Sequence, residues 1–148
     1  MANIPSSTTS STTPIQGGAR IIDHDQEISS GPGPEIMAAE TLQGDSVVNS
    51  QGEKLGDIED IMIDVPGGRV AYAVMSRGGV LGFGEKLFAI PWDALTLDAD
   101  RECFVLDIDE VRLENAPGFD KDHWPAMADR TWGSEVHSYY NRRPYWEQ

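Results

Sequence analysis

The stretch that decides the fold runs from Gly52 to Trp92, GEKLGDIEDIMIDVPGGRVAYAVMSRGGVLGFGEKLFAIPW. Its apolar residues fall in short runs, Ile58 to Val65, Val70 to Met75 and Leu87 to Ile90. Glycine and proline separate the runs at Gly67–Gly68, Gly78–Gly79 and Pro91, as three strands joined by tight turns require. Within Lys54 to Val65 the apolar phase shifts between Ile58 and Ile61, so a bulge or bend is expected near Glu59–Asp60. In Arg69 to Ser76, Val70, Tyr72 and Val74 alternate with Ala71, Ala73 and Met75, a pattern that expects cover on both faces.

Working outward, Asp45 to Asn49 reads as a strand preceding the quoted stretch. Pro91 to Leu95 suits a single helical turn, Thr96–Leu97 a short strand, and Cys103 to Ile108 the last strand. Asp109 is placed to cap a short helix over Glu110 to Asn115. Five or six short strands within about 70 residues, without a long amphipathic helix between them, define a mainly β fold, a small antiparallel β-barrel. A barrel of that size buries only about 60% of its chain surface and gains from a covering element.

Residues 1–36 contain no aromatic residue and are rich in Ser, Thr, Pro and Gly. The expectation there is a disordered segment, with Ala19 to Asp25 able to dock as a short strand. Residues 118–148 are the opposite in composition. Phe119, Trp124, Trp132, Tyr139, Tyr140, Tyr145 and Trp146 are seven of the chain's twelve aromatic residues. Two short helices, near Pro125–Trp132 and Ser134–Tyr140, are expected to pack on the barrel or on a second subunit.

The chain has 25 acidic against 11 basic residues and a formal net charge of −14, which repels nucleic-acid phosphate; Arg142–Arg143 alone forms no basic patch, so no nucleic-acid partner is expected. Cys103 is the single cysteine, which excludes an internal disulfide, and its apolar surroundings read as a small buried hydrophobe. No run approaches the roughly 18 apolar residues of a membrane helix, and no secretory signal pattern opens the chain, so the expected location is cytoplasmic.

Gly79 and Gly84 have phosphate-loop spacing, but Glu85 stands where the lysine belongs, no Ser or Thr follows Lys86, and a strand follows the loop. Gly82-Phe83-Gly84-Glu85-Lys86-Leu87 does not complete a dinucleotide fingerprint. Asp57, Glu59, Asp60 and Asp64 surround one strand, and Asp98, Asp100 and Glu102 crowd one turn, which leaves a weak cation-binding reading without the glycine and bidentate glutamate of an EF-hand. His24, His123 and His137 have no zinc spacing, and no serine-nucleophile elbow is present. No cofactor, metal or catalytic residue is assigned, and the chain is read as a non-enzyme.

Taken together, Gly52 to Asp64, Gly68 to Ser76, Gly78 to Lys86 and Ile90-Pro91-Trp92 resemble the PRC-barrel domain over about residues 37–117. This divides the chain into a 1–36 segment, a 37–117 barrel and a 118–148 aromatic-rich helical extension. The family is named for the cytoplasmic domain of the photosynthetic reaction-centre H subunit and includes the C-terminal domain of a ribosome maturation factor. The resemblance implies a small, mostly antiparallel barrel used for protein–protein contact, without catalysis. Ala116-Pro117 and Glu135 to Tyr140 also look like the H subunit's C-terminal region, whereas its membrane helix has no counterpart here and none of its proton-delivery carboxylates is carried over. The expected function is therefore a non-catalytic bacterial interaction or self-association module, possible as a homodimer. An H-subunit-like accessory of an electron-transfer membrane complex and a small-ligand or metal-binding protein are the alternatives. The expected interaction surface is the glycine-rich loop, Arg77, Val80, Leu81 and Phe83, together with Trp124, Trp132, Tyr139, Tyr140, Tyr145 and Trp146.

Overall fold

The computed structural model describes residues 18–22, 35–78 and 84–148. Seven strands form one sheet: β1 (Arg20–Ile22), β2 (Ser46–Val48), β3 (Lys54–Asp64), β4 (Arg69–Arg77), β5 (Lys86–Pro91), β6 (Leu95–Asp98) and β7 (Cys103–Leu106). Their order in space is β1-β6-β7-β2-β3-β4-β5. Three helices accompany them, α1 (Ala39–Leu42), α2 (Glu110–Glu114) and α3 (Arg130–Tyr139), with 3-10 turns at Trp92–Ala94 and Tyr145–Glu147.

The β3–β4–β5 meander follows from the glycine-punctuated stretch. The β3–β4 turn closes on Asp64, whose carbonyl accepts from the Gly68 N–H at 2.9 Å and whose carboxylate bonds Arg69 Nε at 3.0 Å. Gly68 sits at φ +65, a conformation that glycine adopts without the strain a Cβ brings. The expected bulge is present. Ile58 pairs with Met75 and Asp60 with Val74, so β3 carries one extra residue there. Met75 and Ala73 share a face of β4, and the bulge lets their partners Ile58 and Ile61 share the opposing position despite their odd spacing.

Two features depart from the expected antiparallel barrel. The sheet is mixed, because β1 runs parallel to β6 and β2 runs parallel to β7. It is also open: among the described residues no ladder joins the two end strands β1 and β5. Turn chemistry reports only neighbours in sequence, whereas the β2–β7 pair joins Ser46 to Cys103 with no local signal. The edge of β5 is met by Phe119, which exchanges both backbone hydrogen bonds with Leu87 at 2.8 and 2.9 Å. Arg20–Ile22, inside the segment expected to be disordered, is paired in the sheet, and the α1 turn had no expectation in the sequence.

The core includes Leu55, Ile58, Met75, Phe88, Ile90 and Phe104, all buried. Every residue from Ala71 to Ser76 of β4 is buried, as its alternation of small and large side chains required. Asp109 caps α2 by accepting from the Arg112 N–H at 2.7 Å, which seats Leu113 in the core.

The close approach of β3 to β4 at Gly56 gives a test. A Cβ there would meet the Ser76 carbonyl oxygen, which is backbone and has no room to yield, and Met75 Cγ at 2.8 Å. Gly56→Ala is expected to destabilise the domain by about 2 kcal/mol or more, read as a lowered urea midpoint with an unchanged m-value.

Candidate functional site

The C-terminal extension packs on the chain's own sheet. One helix, α3, replaces the two expected. Asp129 caps it by accepting from the Thr131 N–H at 2.9 Å, so the helix starts after Pro125 and runs through Gly133–Ser134 without a break. Trp132 meets Tyr72 of β4 edge-on with ring centroids 5.4 Å apart, and Tyr145 meets the same ring at 5.7 Å. Gly133 is required at the crossing: a Cβ would stand 2.8 Å from the Trp146 ring and 2.9 Å from the Tyr72 hydroxyl.

His137 lies at the centre of this contact, 1% exposed. Its Nδ1 is 2.7 Å from the Gly133 carbonyl, and its Nε2 accepts the Tyr145 N–H at 3.3 Å. A ring that accepts at Nε2 and donates at Nδ1 is the neutral tautomer. Burial pushes its pKa below the ordinary 6.5, against the opposing pull of the Gly133 carbonyl, Asp93 and Glu147. Two hydroxyls nearby, those of Tyr72 and Tyr140, are buried without a hydrogen-bond partner among the described residues, and burial raises both above the usual phenol range.

Several residues of the expected surface make contacts within the chain. Tyr140 is buried; the Tyr139 hydroxyl donates to the Arg112 carbonyl, and the Arg112 guanidinium lies over the Tyr139 ring and donates to its carbonyl at 2.7 Å. Arg69 lies over Tyr145, and Arg130 over Trp146. Arg77 donates to the Leu55 carbonyl at 3.0 Å and faces Glu110 and Glu114 of α2. Trp124, stacked at a tilt on Phe119, stays 43% exposed. Val80, Leu81 and Phe83 lie outside the described residues.

The acidic clusters are largely paired. Asp57 bonds Lys54 at 3.0 Å, Asp64 bonds Arg69, and the buried Asp98 meets Arg101 at 3.4 Å. Among the described residues no three His, Cys, Asp or Glu side chains converge to hold a metal. Cys103 is buried, and burial followed by the Asp98 carboxylate pushes its thiol up, which disfavours the reactive thiolate.

The feature that the sequence did not announce is a groove of about 340 Å³ on the other side of the molecule. Met37, Ala39 and Leu42 of the α1 segment form one wall, with Ala19 and Ile21 of the β1 segment beside them. Trp92, Leu97 and Phe104 line it below, the Trp92 and Phe104 rings meeting edge-on at 5.8 Å. Ile61 and Val70 reach it from β3 and β4, and Glu35 is its one charged lining residue among the described residues. Ile21, 37% exposed, lines the groove, and Ile36, 71% exposed, stands between the lining residues Glu35 and Met37. The groove arises because β1 and α1 sit against an open sheet, an arrangement with no periodicity to read in advance.

The sequence model of the PRC-barrel domain family matches residues 34–113, more than half of the chain. The chain belongs to the PRC-barrel family. No curated protein matches it.

The tail contact carries two predictions. Gly133→Ala is expected to cost about 1–3 kcal/mol, through displacement of Trp146, and to redshift tryptophan emission. A His137 pKa depressed in the folded state means that its stabilising contribution is complete above the ordinary value of 6.5 and is lost as pH falls through the folded value. The melting temperature of the wild type should thus fall as pH is lowered from 8 to 5.5, and His137→Gln should flatten that dependence.

Proposed function

We propose that this chain is a non-catalytic protein-interaction module whose docking surface is the apolar groove between β1, α1 and the sheet. The observation that carries this reading is the groove itself, walled by apolar side chains and bordered by exposed isoleucines at positions 21 and 36. Its volume lies in the range of sites that take ligand or partner side chains, and apolar surface left in water around such a hollow marks an interaction site. The aromatic tail, by contrast, is engaged with β4 and α2, so its rings serve to complete the domain. That arrangement favours docking at the groove over self-association through the tail.

A photo-crosslinking side chain introduced at position 36 should give a discrete protein adduct in the native cell, and Ile21→Asp should abolish it. The same crosslinker at position 111, where Val111 is exposed on α2, serves as the control. Equal adducts from both positions, insensitive to Ile21→Asp, would refute the docking role of the groove.

A further inference from the structure

The groove's surroundings point to the chemistry of its occupant. Among the described residues its only charged lining residue is Glu35, and neither lysine nor arginine lines it. One further carboxylate, Glu40, is exposed on α1 beside the lining residue Ala39. The α1 segment is tied to that side of the sheet by Gln43, whose Nε2 donates to Asp60 Oδ1 at 3.2 Å. Two basic residues neighbour the lining in sequence, Arg20 before Ile21 and Arg69 before Val70, and Arg69 is already bound to Asp64 at 3.0 Å. The whole chain adds a formal charge of −14.

We infer that the groove receives a cationic segment of a partner protein, with apolar side chains seated against Trp92 and Phe104 and lysines or arginines facing Glu35 and Glu40. This rests on the docking reading above and assigns it a partner chemistry. The apolar lining supplies the affinity, because burying aliphatic side chains there removes exposed surface from water on both sides. The carboxylate lip supplies selection and speeds encounter, since opposite charge steers association and like charge opposes it. The same argument disfavours the other occupants. A second copy of this chain would bring another net −14 against the same lip, and an anionic membrane surface or a nucleic acid meets the same repulsion.

The test is a selection from an unbiased displayed peptide library on the full-length chain, counter-selected on the Ile21→Asp variant. The expected pool combines at least two apolar residues with an excess of Lys and Arg. Its members should lose roughly ten-fold in affinity when NaCl rises from about 0.05 M to about 0.5 M, and a similar amount on the double variant Glu35→Lys/Glu40→Lys, as exposed charge pairs do. Circular dichroism spectra matching the wild type show that both variants retain the fold. Enriched peptides that are apolar but uncharged, bound equally by Glu35→Lys/Glu40→Lys, would overturn the cationic partner while leaving the groove a docking site. A selection that yields nothing able to tell the wild type from Ile21→Asp would overturn both.

Discussion

The structure depends on strand β4 being buried on both faces. Ala71 to Ser76 have no solvent-facing side, so two layers must meet there. On one face Ala73 and Met75 pair across to Ile90, Phe88, Ile58 and Ile61, which builds the main core. On the other, Tyr72 projects into the C-terminal extension and is ringed by Trp132, His137 and Tyr145. A single curved sheet of this length leaves one side open to water, and the extension closes it.

That requirement explains why the tail is rich in aromatic residues and why it is held so specifically. Backbone and polar contacts hold the end of the tail as well: Arg69 donates to the Tyr145 carbonyl at 2.8 Å, and Gln148 Nε2 donates to Asp93 at 2.9 Å. His137 stays neutral because both of its nitrogens are committed to backbone groups in a dry setting. The cost is two buried phenol hydroxyls, at Tyr72 and Tyr140, without partners among the described residues. The extension thereby covers the Tyr72 face of β4, and the groove lies where β1 and α1 meet the sheet.

The meander was legible in the sequence because its signals are local. Turn glycines, alternation in β4 and the phase shift at Ile58–Ile61 each act over a few residues, and the strand bounds and the bulge followed from them. The caps at Asp109 and Asp129 are equally local, although the second was not used and two helices were expected where α3 is one. The parallel pairs were not legible. Val47 meets Phe104 because the chain between them has returned beside β2, and nothing in either trimer specifies direction. Nor was the role of the aromatics, since a ring-rich segment reads alike whether it will cover its own sheet or another subunit.

The sequence by itself determined which residues would be strands, where they would turn, which strand would be covered twice, and the family to which the chain belongs. Hydrophobic period and backbone freedom are properties of consecutive residues, so these follow from the order of the chain. Only the tertiary structure decided that the sheet is mixed and open, that His137 sits dry and neutral at a helix–sheet crossing, and that an apolar groove lies between β1, α1 and the sheet. Each of these depends on segments far apart in the chain meeting in space, and no stretch of sequence carries that meeting within itself.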